Sequence, residues 1–364
     1  MPSFALSPAE LSYLHDSLSL TPPIRPDSRS ATAFRPLSAE TGVLPATNGS
    51  THLSFSDGSE AIVGVKAEVE KTASQPFRQH GDDSAMALDS MTTGRTSGHP
   101  SWVSLNIDLP TLRDDDPTLI FLAEIIHGSL VSSSSSSLPD ALVINKYWHW
   151  KLYIDVVLIS PYGLSSYPLP LLSLTIHLAL LTTRLPKLKS ERDEDPLFVD
   201  DWELSEYLYS SAGKGKHHAA NNPVKHRLTR PPITLLLITV GSNIIFDPSR
   251  EELAVADGIL AISVAESERN EMNHPGEAET SLQICSLCSI DPPARDTMKG
   301  MPISGEVVEG IKIPGVWQPR VGGIKRYLLK EIAMAVLGED SKSGVASDVF
   351  EGVGGFLKVE KSQA

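Results

Sequence analysis

The sequence predicts an α+β fold in which strands come first and helices follow. Three observations carry this reading. Residues 51–65 alternate and then run apolar around an Asp57-Gly58 turn, the residue pair that tolerates the positive φ of a tight hairpin. Residues 233–246 repeat the pattern around Gly241-Ser242-Asn243. Long helical patterns occur only after such strand blocks, at 169–183 and 321–337. Strands followed by helices favour α+β over alternating βαβ units.

In chain order, residues 7–18 spell a short amphipathic helix, with Ser7 as N-cap, Pro8 at the first helical position and Glu10 three after the cap. Asn48-Gly49 is read as a turn, Thr51, Leu53 and Phe55 as an alternating strand, and 61–65 as its apolar partner. From 72 to 100 Ser, Thr, Gly, His and Asp dominate without a period, which predicts a loop insertion. Residues 102–109 alternate as a strand, and Asp114-Asp115-Asp116-Pro117 opens a helix over 118–130. Three adjacent aspartates raise the idea of a cation site, but carboxylates at a helix start suit the dipole and the free first-turn amides.

The six serines 132–137 form a spacer, 148–159 read as a long buried strand, and 169–183 as the helix behind it. Residues 187–231 read as a linker enlarged by insertion. It carries the densest basic cluster of the chain: Lys214, Lys216, Lys225, Arg227 and Arg230. A solvated loop is the preferred reading there, over one that brushes RNA. The His217-His218 pair lacks a spaced third ligand and is a weak metal signal. Strands follow at 233–240, 244–246, 261–264 and 281–290, separated by a polar loop at 266–280. Cys285-x-x-Cys288 has no second cysteine pair, and residues three apart on a strand face opposite ways, so it reads as structural. Gly338 caps the closing helix, and a frayed tail is expected beyond it.

Bulk properties bound the function. The 364 residues are 41% hydrophobic and 21% charged, with a net charge of −14 and a pI near 5.2. Such an acidic chain is a poor match for gripping nucleic acid alone, since phosphate neutralisation dominates that affinity. Two cysteines make no disulfide framework, and the first residues lack a basic then apolar leader pattern, which points to a reducing compartment. The most apolar stretch, 169–181, is too short to span a bilayer.

The opening motif is long and ordered: Arg25-Pro26-Asp27 with Arg29, Phe34-Arg35-Pro36, Glu40-Thr41-Gly42, Asn48-Gly49-Ser50 and Gly64-Val65-Lys66-Ala67-Glu68. It resembles the start of RNase PH-like proteins, and its last five residues resemble the non-catalytic ring subunits of the RNA exosome. Within that family the nearest likeness is the ribosomal RNA-processing protein 42 class, with the 43 class as near neighbour. The family has Gly where this chain has Ser28. The strand carrying Trp148 and Asp155 is similar to one in the same subunits, although their Gly-rich turn with an aspartate is replaced here by Ser165-Ser166-Tyr167-Pro168-Leu169-Pro170.

The resemblance implies an RNase PH-type fold of two similar strand-then-helix halves with mixed and antiparallel sheets packed on helices. The parts would be an N-terminal helix and arm (1–24), a first half (25–186, with the insertion 72–100 and spacer 131–138), a linker (187–231), a second half (232–338) and a tail (339–364). The residues alone show no nucleophile elbow, phosphate loop or spaced metal set. The best acidic constellation is Asp247, Glu251, Glu252 and Asp257, which could act as general acid or hold magnesium.

Active relatives follow the Glu-Glu pair directly with an Asp, and here Leu253 stands in that place. An arginine grip and phosphate loop are not found. Non-catalytic archaeal partners lend arginines from the helix equivalent to 118–130, which here has Glu124 and His127-Gly128 and no Arg or Lys. The resemblance therefore implies a non-catalytic subunit of the hexameric exosome core, without a cofactor. Its partners would be RNase PH-like ring neighbours, S1/KH cap subunits and RNA in the assembled channel, in nucleus, nucleolus and cytoplasm. The alternative is an active phosphate-dependent 3'-to-5' exoribonuclease. Strands 154–159 and 233–240 are apolar at both parities, which predicts cover on both faces, partly from partner subunits.

Overall fold

The computed structural model describes residues 6–72, 98–110, 116–132, 138–159, 166–190, 194–209, 230–268, 280–290, 324–338 and 343–363. The expected insertion between 73 and 97 therefore lies outside the described residues. So do the spacer 133–137, Asp114, Asp115, the cluster Lys214, Lys216, Lys225 and Arg227, and His217-His218.

Helix α1 (Pro8–Ser19) starts with the expected capping box, Ser7 and Glu10 each satisfying the other's backbone amide. Strands β1 (Leu37–Thr41), β2 (Gly49–Phe55) and β3 (Glu60–Lys71) form an antiparallel meander. The Asp57-Gly58 turn is as expected, with Gly58 at φ +82. Asn48-Gly49 is not a two-residue hairpin turn. The reversal spans 42–48, its positive φ of +72 belongs to Gly42, and Gly49 already pairs with Val65. Gly49 is small for another reason: a Cβ there would lie 2.5 Å from Thr183 Oγ1 and 2.7 Å from the Ala179 carbonyl.

Strand β4 (Val103–Asp108), helix α2 (Pro117–Val131), the short helix α3 (Leu138–Ala141) and β5 (Trp148–Ile159) complete the first half. The sheet order is β1-β2-β3-β5-β4, antiparallel except where β4 runs parallel to β5. Asp116 caps α2 by accepting from the Thr118 amide, the helix-start role expected of the acidic run.

Helix α4 (Leu169–Thr182) packs against both this sheet and the second one. All residues from Leu169 to Leu180 are buried, which matches its all-round apolar sequence. The second sheet has β8 (Ile233–Val240), β9 (Asn243–Phe246), β10 (Gly258–Glu268) and β11 (Thr280–Ser289) in the antiparallel order β11-β10-β8-β9. The strand expected at 261–264 thus extends to eleven residues. Cys285 lies where the register passes from Ser263↔Ser286 to Val264↔Ile284, a β-bulge, and neither cysteine is in a disulfide.

Short helix α5 (Arg250–Val255) follows β9, and α1 packs on it and on β8 of the second sheet. Asn243 Nδ2 donates to the Leu18 and Leu20 carbonyls at 2.7 and 2.6 Å. The closing helix begins later than expected, as α6 (Arg326–Leu337), and Gly338 ends it at φ +78.

One further expectation is corrected. The tail after Gly338 is not frayed: α7 (Val345–Gln363) packs on α6 and buries Ala346, Phe350 and Val353. Strand β8 is buried on both faces. Strand β5 alternates, and on its outer face Val157 and Ile159 keep 38% and 39% of their exposure, the spare apolar surface for which the sequence calls on partner subunits.

Candidate functional site

Two members of the acidic constellation, Asp247 and Glu252, meet the opening motif where the 25–35 arm crosses the end of β9. Ser249 caps α5 through a capping box with Glu252, and this fixes the Glu252 carboxylate against the arm. Arg25 Nε donates to Glu252 Oε1 at 2.8 Å and Nη2 to Oε2 at 2.9 Å, and both side chains are fully buried. The remaining Arg25 donors go to the carbonyls of Ser30, Phe246 and Asp247, with Ala33 at 3.4 Å. All five N–H groups of this guanidinium are engaged, so none is left for an anion.

Asp247, at φ +48, is the second node. Arg35 Nη2 donates to its Oδ1 at 2.6 Å, Arg35 Nε and the Arg35 amide reach Oδ2 at 2.9 Å each, and Arg29 Nη1 reaches Oδ2 at 2.8 Å. Burial pushes the Asp247 carboxyl up, but the hydrogen bonds and charge of Arg35, with the charge of Arg29, hold it below the usual carboxylate range. It is an anion at neutral pH and has no proton to offer as a general acid.

Arg35 continues the network into the first half. Its Nη1 donates to Asp57 Oδ2 at 2.6 Å and to Ser166 Oγ, and its guanidinium lies over the Phe55 ring at 4.5 Å. Asp27 accepts from Arg29 Nε at 2.6 Å and sits within one turn whose Ser28 has φ +62. That is the conformation a glycine at this position would favour.

The motif residues therefore sort into three groups. Arg25, Asp27, Arg35, Asp247 and Glu252 are brought together in one lattice. Gly42, Asn48, Gly49, Ser50 and Gly64 build a chain crossing. There the Asn48 side chain accepts from the Ala67 amide at 2.9 Å and donates to the Arg184 carbonyl at 3.0 Å. Ser50 Oγ accepts from the Leu44 amide, and Gly64 leaves room for Leu44 and Thr47. Glu40, Asp155 and Glu251 are exposed, and Lys66 and Glu68 form an exposed pair at 3.1 Å.

Glu251 is exposed, and Asp257 engages other residues. It accepts from the Gly241 amide at 2.7 Å and lies 3.7 Å from His15 Nε2. Sequence reasoning missed the parts of Arg29, Asp57 and Ser166. Asp57 was legible as a turn residue, but nothing local marks it as an arginine partner. Leu253 is half-buried against the core, and no group of three metal-ligating side chains occurs among the described residues.

Two sheets around a shared buried helix, joined by this arginine–carboxylate lattice, define a protein of the RNase PH type. Residues 33–186 match the model of the 3' exoribonuclease family, domain 1. The chain is 32% identical over 264 residues to the exosome complex component RRP42 of Saccharomyces cerevisiae, covering 71% of this chain and 81% of that protein. It is 30% identical over 267 residues to exosome complex component rrp42 of Schizosaccharomyces pombe, covering 72% and 79%. The solved Archaeoglobus fulgidus exosome with RNA bound to the active site contains a chain that is 19% identical, with a TM-score of 0.47, covering 79% and 88%. The chain belongs to the 3' exoribonuclease, or RNase PH, family, and within it to the RRP42 class.

Proposed function

We propose that the chain is a non-catalytic structural subunit of the hexameric exosome core ring. In this reading it sits between other RNase PH-like subunits, under S1/KH cap subunits, and helps form the channel that threads RNA for 3'-to-5' processing and decay in nucleus, nucleolus and cytoplasm. Its relatives carry the name exosome complex component. The observation that supports the non-catalytic reading best is the commitment of the site's charges to structure. Asp247 is ionised under two guanidinium groups, Arg25 is saturated, and Leu253, which can neither donate a proton nor ligate a metal, follows Glu251-Glu252.

The test is incubation of the purified chain with 3'-labelled RNA, magnesium and inorganic phosphate. No nucleoside diphosphate is expected. Phosphate-dependent release that co-elutes with the chain would instead establish an active phosphorolytic exoribonuclease. Affinity purification of the tagged chain is expected to bring down RNase PH-like and S1/KH subunits. Recovery of none of them would count against the ring.

A further inference from the structure

We propose that the described residues that follow α4, Arg184 to Tyr209, form a docking platform for a basic, apolar-anchored peptide segment of a partner protein. The segment leaves α4 as β6 (Arg184–Leu185), which pairs antiparallel with β7 (Glu206–Tyr207). Between them Lys189 N donates to the Leu197 carbonyl at 2.7 Å and Val199 N to the Lys187 carbonyl at 3.0 Å, while a 3-10 turn spans Trp202–Leu204.

Its inner side is fixed. Phe198 packs on Trp150 with ring centroids 4.9 Å apart, Tyr209 is buried, and Trp148 Nε1 reaches Asp195 Oδ1 at 3.3 Å. Its outer side is apolar at four places. Leu197, Trp202, Leu204 and Tyr207 keep 64%, 48%, 54% and 42% of their exposure. One exposed apolar residue needs no explanation, but four large ones stand within eleven residues, and two of them, Trp202 and Tyr207, are of the types enriched in binding hot spots.

The charges between them select the partner. Glu194, Asp195, Asp200, Asp201, Glu203 and Glu206 are all exposed. The described cations of this segment are Lys187, Lys189 and Arg184, and Arg184 is committed to Tyr207, over whose ring its guanidinium lies at 4.5 Å. A surface of this sign repels phosphate, and so RNA and anionic lipid, and it repels a second copy of this chain at net charge −14. A cationic segment with leucine- or aromatic-type anchors satisfies both features at once. The docking role goes beyond the ring reading and does not depend on it.

The test is fluorescence anisotropy of the full chain with a labelled peptide of alternating lysine and leucine, alongside lysine–serine and glutamate–leucine peptides. Binding of the lysine–leucine peptide alone is expected, weakening as salt rises. The exposed double variant Trp202→Ala/Leu204→Ala should weaken it about tenfold or more. The triple variant Asp200→Asn/Asp201→Asn/Glu203→Gln should do the same and flatten the salt dependence. Unchanged thermal transitions in both variants would show that the fold is intact.

Equal binding of the lysine–serine peptide, unchanged binding by the variants, or no binding would overturn the proposal. Binding that appears only after deletion of residues 210–229 would assign the platform to the chain's own basic segment. Loss of binding on assembly with RNase PH-like subunits would assign it to a ring neighbour. Either result would also overturn the proposal.

Discussion

Arg25 and Glu252 stand 227 residues apart in the chain and form a fully buried two-point pair, with Nε and Nη2 at 2.8 and 2.9 Å from the two carboxylate oxygens. The pair ties the N-terminal arm to the first turn of α5. Removing one member leaves the other charged and buried, a loss of about 3–5 kcal/mol. Arg25→Ala is therefore expected to lower the urea midpoint strongly or abolish soluble expression. Arg25→Met with Glu252→Met should recover only part of this, because the carbonyls of Ser30, Phe246 and Asp247 lose their donor. A double variant as stable as wild type would show that these backbone contacts contribute nothing.

Two glycines are expected to respond oppositely to alanine. At Gly49 the added carbon meets backbone atoms, the Ala179 carbonyl and Thr183 Cα, both at 2.7 Å, and neither can swing aside. A loss of about 1–3 kcal/mol is expected, at the upper end of that range. Gly128 lies exposed inside α2 with nothing within 4 Å of its missing carbon, so Gly128→Ala should gain about 0.5–1 kcal/mol. Denaturant unfolding of both variants checks the pair, and loss of stability at Gly128 would refute the reading.

These cases show which parts of the architecture were legible. The α1 capping box, the Asp57-Gly58 turn and the predominantly apolar α4 and β8 are written in local sequence. The Asn48-Gly49 dipeptide misled because the signal for positive φ and the signal for close approach use the same residue, and only the position of α4 separates them. The tail misled for a related reason. Two glycines at 354 and 355 weaken its helical pattern, while its stability comes from packing on α6 that no local window contains. Within the site, the motif named Arg25, Arg35, Asp247 and Glu252. It could not show that they neutralise one another, since that pairing spans more than two hundred residues.

Acid should destabilise the fold in two windows. Burial drives His177 down to about 3, and its Nδ1–H donates to the Pro231 carbonyl at 2.8 Å. Its folded value lies below its unfolded value near 6.5, so its contribution is complete above about pH 6.5 and is lost progressively as pH falls towards 3. One proton taken up on unfolding gives a slope of about 1.4 kcal/mol per pH unit. His177→Asn, which keeps a donor near Nδ1, should remove that slope between pH 6 and 4. Asp247 is also depressed, so its contribution is present above its ordinary value of 3.8 and is lost as pH falls below it. An unchanged slope in His177→Asn would show that His177 titrates normally.

The C-terminal helix offers the last test. Phe350 is buried, and its ring meets His177 of α4 edge-on at 5.6 Å. Helix α7 thereby covers the central helix of the molecule from the end of the chain, with Ala346 and Val353 buried on the same element. Truncating a buried phenylalanine removes its transfer free energy and leaves a cavity, together about 3–5 kcal/mol. Phe350→Ala should therefore unfold at markedly lower urea than wild type. It should also raise the pKa of His177 towards 6.5, because water gains access to the ring. Removal of residues 343–364 should have at least the same effect. An NMR titration of the histidines with urea unfolding checks both readouts. Wild-type stability in the truncated chain would mean that α7 does not cover α4 in solution.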